Sequence, residues 1–227
     1  MDDPWIRRVA PALEPATKPS EALVYIQGYL SDRDDSEERQ ERWVECLRAA
    51  GWRGSVYHLW WDASSLRGFG KDAIQGRVLH WWKVKSRAKR VGVEHVESLI
   101  RENVNEQKIS LVGHSLGARV AYYAVLNSKI KLENVVLLGG AIRRDSSREW
   151  GDVADRLDGK LVNVYNESDI VLTALTKSIN LRQNPCGRKP IKQAHPKIIN
   201  VEDRDGDNHS HYKRHMLETV GPILWAK

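Results

Sequence analysis

Ser115 is the residue in this sequence best placed to do chemistry. It lies in Gly113-His114-Ser115-Leu116-Gly117, a G-x-S-x-G pattern. Residues 108–112 (KISLV) read as a strand in front of it and residues 116–127 as a helix behind it. That strand–turn–helix setting raises a serine hydroxyl on a sharp bend. Glycines on either side remove side chains that would collide with neighbouring elements. The hydroxyl then projects past the strand end, near the positive end of the helix. Backbone N–H groups there can hold a developing oxyanion. An ordinary Gly-rich connection is the competing reading, and the setting weighs against it.

A serine hydroxyl is a weak nucleophile without a base. This arrangement takes its partners in the chain order serine, acid, histidine. The acid belongs just past a later strand. Residues 161–165 (LVNVY) lead into Asn166-Glu167-Ser168-Asp169. Asp169 is the first candidate, Glu167 the second, and Asp145, after the strand at 134–138, the third. Asp169 also suits the N-cap of a helix at 170–177, and the two roles are compatible. The histidine belongs after the last strand, 197–201 (KIINV). His209 falls in the connecting loop and His211 at the start of the terminal helix, so loop placement favours His209. A second oxyanion donor comes from the loop after an early strand. The N–H of Tyr29 is expected to pair with that of Leu116, with Gly28 letting the backbone turn close to the nucleophile.

The elements that must position these residues are readable from apolar runs. Strands are expected at 22–27, 55–59, 108–112, 134–138, 161–165 and 197–201. Helices are expected at 36–50, about 73–103, 116–127, 170–177 and 211–225. Strands that are apolar throughout need cover on both faces. Strands alternating with helices make a mainly parallel α/β sheet. Prolines at 4, 11, 15 and 19 make residues 1–20 an extended arm rather than a packed element. Residues 21–227 form one domain, with 67–105 as a helical or cap segment.

Composition removes several function classes. Apolar residues are 41% and charged residues 29% of 227, which excludes disorder along the whole length. No uncharged run exceeds ten residues, the length of 109–118, well short of the roughly 18–20 residues of a membrane-spanning helix. Met1-Asp2-Asp3-Pro4-Trp5 lacks the apolar core of a secretory signal. Cys46 and Cys186 cannot make a disulfide framework, so a cytoplasmic, reducing setting is expected, with non-classical export left open. Asp203, Asp205 and Asp207 begin like a calcium loop, but Asn208 stands in the glycine place and Arg214 in the glutamate place. His209, His211 and His215 lack the partners of a zinc motif. No metal or cofactor is expected, and the acidic loop reads as solvated.

The net charge of +6 is concentrated. Residues 67–90 hold Arg67, Lys71, Arg77, Lys83, Lys85, Arg87, Lys89 and Arg90 against Asp72 alone, together with Phe69, Trp81 and Trp82. A solvated helix face is the plain reading. Peripheral contact with an anionic membrane is the functional one. No nucleic-acid motif accompanies the charge, so nucleic acid is not expected as a partner.

GHSLGARVAYYAVL, NVVLLGGA, Trp150, LVNVYNESDIVLTAL and NHSHY, in that order, resemble the poorly characterised α/β-hydrolase family that includes the transmembrane and coiled-coil domain proteins. Ser86-Arg87-Ala88-Lys89-Arg90-Val91-Gly92 resembles that family's helix before the nucleophile strand. The likeness runs over about residues 21–226. It implies a serine-hydrolase fold, with the nucleophile at Ser115 and the acid at Asp169. The family's late G-H-x-x-Y pattern falls on Asn208 to Tyr212, which favours His209, with Asn208 in place of glycine. The resulting expectation is a serine hydrolase acting on a carboxylic ester, in particular a lipid or phospholipid ester. The alternative is a catalytically silent α/β-hydrolase-fold binding protein.

Overall fold

Strands form mostly where β-branched and aromatic residues run with few charges, and helices where apolar residues recur three and four apart. A computed structural model of the chain describes residues 3–13, 20–28, 37–63, 74–145, 148–178, 184–204 and 212–225. In order, the elements are β1 (Trp5–Ala10), β2 (Glu21–Ile26), α1 (Glu37–Ala49), β3 (Ser55–Trp60), α2 (Ile74–Glu94), α3 (Val96–Asn103) and β4 (Lys108–His114). Then come α4 (Leu116–Asn127), β5 (Val135–Leu138), α5 (Trp150–Asp155), β6 (Leu161–Tyr165), α6 (Ile170–Ser178), β7 (Ile198–Glu202) and α7 (Tyr212–Leu224). All six expected strands are present, each within one or two residues of its expected bounds.

The strands form one sheet in the order β1-β3-β2-β4-β5-β6-β7. β1 is antiparallel to β3, and every other pair is parallel. The strand carrying the serine motif, β4, lies at the centre. Both sheet faces are covered. On one face Trp81, Val84, Ala88 and Val91 of α2 pack with Val120 and Ala124 of α4 and with Trp150 of α5. On the other, Trp43 and Leu47 of α1 and Leu217 and Val220 of α7 pack on Leu23, Val112 and Val164. Alternate residues of β2 fall into opposite layers, Ala22, Val24 and Ile26 in one, Leu23 and Tyr25 in the other. This is why its sequence shows no polar alternation.

Two parts of the sequence reading change. The arm expected over 1–20 is a packed edge strand at Trp5–Ala10, with Trp5 opposite Trp60. Pro4 and Pro11 bracket a proline-free stretch free to donate backbone hydrogen bonds. The Trp5 and Trp60 rings stack 5.8 Å apart. The helical stretch expected as a cap is, from residue 81 onward, the crossover between β3 and β4. α2 and α3 bury Trp81, Val84, Ala88, Val91, Val96 and Ile100 in the core. Residues 67–73 lie outside the described residues.

Candidate active site

The turn after β4 holds Ser115 at φ 55°, ψ −115°. Among the described residues it is the one non-glycine with a positive φ, a conformation that costs about 1–3 kcal/mol. The neighbouring backbone fixes it there. The Ser115 N–H donates to the Leu138 carbonyl (2.9 Å) and its own carbonyl accepts from the Ala141 N–H (3.0 Å). Ser115 occupies the N-cap of α4, yet its side chain makes no capping hydrogen bond. Serine is favoured at this place because its hydroxyl usually caps. Here the hydroxyl stays uncommitted to the helix, beside the open N–H groups and positive dipole end of α4.

Close approach explains two glycines. A Cβ on Gly117 would fall 2.1 Å from the Ile26 carbonyl oxygen, so α4 can begin tight against the end of β2. A Cβ on Gly28 would fall 2.7 Å from the Ser115 Cβ and 2.8 Å from the His114 carbonyl oxygen. The chain at Gly28, just past β2, therefore lies directly against the serine turn. The Leu116 N–H opens α4. Tyr29, the other expected oxyanion donor, lies outside the described residues.

The sheet register brings the carboxyl ends of β4, β5, β6 and β7 to the same edge. His114 is opposite Leu138, Leu138 opposite Val164, and Tyr165 opposite Glu202. The segments holding Ser115 and Asp169, and the chain that runs on towards His209, all leave the carboxyl ends of their strands. Asp169 is 3% exposed. Its Oδ1 accepts from the Leu172 N–H (2.8 Å), so the expected capping role is present. Asn166 shapes the turn before it, its Oδ1 accepting from the Ser168 N–H (2.7 Å). The other two acids differ. Glu167 is exposed. Asp145 is half-buried and bound to Arg143 at 3.0 Å. His209 and His211 lie outside the described residues. Asp203, expected in a solvated loop, is 6% exposed, and its N–H donates to the Tyr165 carbonyl (2.8 Å). Among the described residues no cluster of His, Cys, Asp or Glu could hold a metal ion.

One group of side chains escaped the sequence reading. Arg119, four residues after Ser115, is 6% exposed. Its Nε donates to the Lys85 carbonyl (3.0 Å), and its guanidinium lies 4.9 Å from the Tyr123 ring centroid. Lys85 is turned inward rather than onto a solvated face, with its Nζ 4.6 Å from the Trp82 ring. Burial, and then the charges of Arg119, Arg148 and Arg143, lower the Lys85 ammonium to about 8. Spacing alone could have flagged Arg119, since residues four apart share a helix face.

A mostly parallel sheet with a strained serine at the central strand-to-helix turn is an α/β-hydrolase architecture. Solved structures share the fold. An α/β serine hydrolase without lid from Xanthomonas campestris superposes with TM-score 0.51 at 13% identity, over 98% of this chain and 90% of that one. A Thermus thermophilus protein gives 0.53 at 15% identity, over 98% and 99%. The chain belongs to the family described as proteins of unknown function, DUF726, whose match covers residues 74–225. An uncharacterized membrane protein of Caenorhabditis elegans is 31% identical over 125 residues, 52% of this chain and 20% of that protein. A transmembrane and coiled-coil domain-containing protein of Oryza sativa subsp. japonica is 28% identical over 139 residues, 58% of this chain and 21% of that protein. A secreted mono- and diacylglycerol lipase of Malassezia restricta is 31% identical over 106 residues, 44% of this chain and 33% of the lipase. The chain thus spans between a fifth and a third of these relatives' lengths. Among the described residues no helix is long and apolar enough to cross a membrane.

Proposed function

We propose that this chain is a serine hydrolase that cleaves a carboxylic ester, with a lipid ester as the substrate class. The observation that carries the reading is Ser115, held at φ 55° at the head of α4 with no capping bond. In this reading His209 takes the Ser115 hydroxyl proton as Oγ attacks the carbonyl carbon. The oxyanion lies between the N–H groups of Leu116 and Tyr29. Collapse breaks the ester C–O bond, and the alcohol leaves with the proton from His209. Water, deprotonated by His209, then releases the acid and restores Ser115. Asp169 holds the imidazole in the productive tautomer and stabilises its cation.

Two further observations support a lipid ester. The similar Malassezia protein is a mono- and diacylglycerol lipase. Directly after Asp169, Ile170 is 71% and Val171 41% exposed, placing apolar side chains beside the proposed acid. The outer face of α2, with Trp82 and Lys83 exposed, would rest on anionic lipid. A cytoplasmic setting belongs to the same reading, supported by the free thiols of Cys46 and Cys186.

The test is a fluorophosphonate probe on the purified chain. Labelling of wild type but not of Ser115→Ala is expected. Labelling of neither would overturn the hydrolase reading and leave a binding protein on a hydrolase fold.

A further inference from the structure

Arg119, about one helical turn after Ser115, gathers basic side chains with little to balance them. Arg119 and Arg148 donate to one and the same oxygen, the Tyr123 hydroxyl, at 3.4 and 3.0 Å. Lys85 lies beside Arg119, which bonds to its carbonyl. Arg143 supplies the fourth charge and holds Asp145, the one carboxylate bonded into the group among the described residues. Arg119 Nη1 is fully enclosed and has no hydrogen-bond partner, on a side chain whose residue is 6% exposed. Arg148 Nε is likewise enclosed without a partner.

A buried charge lacking a counter-charge is expensive, and breaking such a group's balance is strongly destabilising. Perturbed charged groups gathered near a reactive residue mark a candidate ligand site, and a bound anion would supply the missing counter-charge. The place of these groups is also telling. Arg119 lies one turn into α4 behind its N-cap Ser115, and helical side chains lean back toward the N-terminus. α2 and α4 both run against the parallel strands on one sheet face, so they run alongside each other. The Lys85 carbonyl is level with Arg119, and α2 begins eleven residues before Lys85 while α4 begins three before Arg119. At 1.5 Å per residue, α2 extends about two turns past the head of α4. Lys85 and Arg119 therefore meet at the α2–α4 contact, one turn inside the head of α4, on the side from which α2 projects past Ser115.

We propose that Lys85, Arg119, Arg143 and Arg148 form a subsite for the phosphate group of a phosphate-bearing ester whose acyl carbon is presented to Ser115. This rests on reading Ser115 as the nucleophile. A phosphate offers three acceptor oxygens and one to two negative charges, which suits two guanidinium forks and an ammonium. A carboxylate offers two oxygens and a single charge. A lipid headgroup and a soluble phosphorylated ester present the same phosphate, so the recognition chemistry is shared.

Two measurements test it separately from the catalytic reading. The first is a calorimetric titration with inorganic phosphate on Ser115→Ala, alone and combined with Lys85→Met or Arg119→Met. Lys85→Met removes a buried charge and keeps the chain folded, which its melting curve checks. Phosphate binding that weakens at least about tenfold in the Lys85→Met and Arg119→Met backgrounds is expected. The second compares hydrolysis of 1-butyryl-glycerol 3-phosphate with that of 1-butyryl-glycerol and of a matched succinyl-tailed ester. A kcat/KM preference of at least about tenfold for the phosphate ester, lost in Lys85→Met, is expected. A preference seen only with 1-palmitoyl-glycerol 3-phosphate in vesicles assigns the phosphate to a lipid headgroup. Phosphate binding without hydrolysis of any ester leaves the subsite standing and removes the nucleophile reading. Hydrolysis without phosphate preference, together with phosphate binding that is absent or unchanged in folded Lys85→Met, overturns the subsite.

Discussion

Gly28 stands against Ser115 so closely that a methyl group on it would meet the serine Cβ at 2.7 Å. No real Cβ contact is that short, and the second neighbour, the His114 carbonyl at 2.8 Å, is backbone. Neither can step aside by a side-chain rotation. Gly28→Ala must therefore displace the serine turn or the loop after β2. Overpacking of this kind costs about 1–3 kcal/mol, and a misplacement of about 1 Å at a reacting group costs about a hundredfold in rate. A melting curve and the rate of fluorophosphonate labelling read the two effects. Wild-type labelling in Gly28→Ala would mean that the loop is not part of the site.

Strain at Ser115 gives a second prediction, independent of activity. A residue at φ 55°, ψ −115° suits glycine far better than serine. Ser115→Gly is expected to be more stable than Ser115→Ala by about 1 kcal/mol, a Tm difference of about 2–4 °C at this chain length. Both variants lose the hydroxyl, so both lose labelling. Equal melting temperatures would mean that the turn stores no strain.

Asp169 caps α6 and is also the proposed catalytic acid, and the two roles can be separated. Its Oδ1 caps α6 through the Leu172 N–H. Asp169→Asn keeps an oxygen for that bond, so stability should hold within about 0.5 kcal/mol. As the partner of a catalytic histidine it should nevertheless lose about 10³–10⁴ in kcat. Asp169→Ala loses the cap as well, at about 0.5–2 kcal/mol. If Asp169→Asn keeps full ester hydrolysis while Glu167→Gln or Asp145→Asn loses it, the acid has been misassigned.

The readable parts of this molecule are those where one local rule dominates. The Ser115 turn needs a strand, two close-approach glycines and a helix within a few residues, so the pattern carries its own context. Strands β2, β4, β5 and β6 are buried along nearly their whole length and mostly apolar because both sheet faces are covered, and apolar runs are easily seen. The edge strand β1 was hidden by Pro4 and Pro11, which punctuate the sequence without entering the strand. On α2 the charge run hid the periodicity. Lys85 faces inward, and Arg87 pairs with Asp62 at 2.8 Å with both side chains 15% exposed, while Trp82, Lys83, Lys89 and Arg90 face out. A basic residue counts the same in a composition whichever way it points. The burial of Asp203 and the Arg119 cluster depends on segments far apart in the chain, so no window of sequence contains it.

The outer face of α2 is testable as a lipid-contacting surface. Trp82 is 42% and Val93 39% exposed there, beside exposed Lys83 and Arg90. Each basic residue near an anionic surface contributes about 1 kcal/mol. Lys83→Glu/Arg90→Glu should weaken flotation with phosphatidylserine vesicles by at least about thirtyfold and leave phosphatidylcholine binding unchanged. Lys89 is left in place because its Nζ lies over the Tyr123 ring at 5.3 Å. Equal wild-type binding to neutral and anionic vesicles would remove the electrostatic part of the contact.

Lys85 makes the stability of the chain depend on pH in a window set by its own shift. Burial and the charges of Arg119, Arg148 and Arg143 bring its ammonium from 10.5 to about 8. Below about pH 8 folded and unfolded chains both hold the proton, and the folded state carries the full penalty. Between about pH 8 and 10.5 the unfolded chain keeps a proton that the folded one has released, so stability rises with pH. Burial raises Tyr122 and the Cys186 thiol to about 12. Those groups act in the opposite direction above about pH 9, because there the folded state keeps protons that the unfolded state loses. Comparison with Lys85→Met cancels them. In urea denaturation Lys85→Met should be more stable than wild type at pH 7, and the gap should narrow steadily as the pH rises to 10. A gap that stays constant across that range would place the Lys85 ammonium in water rather than among the arginines.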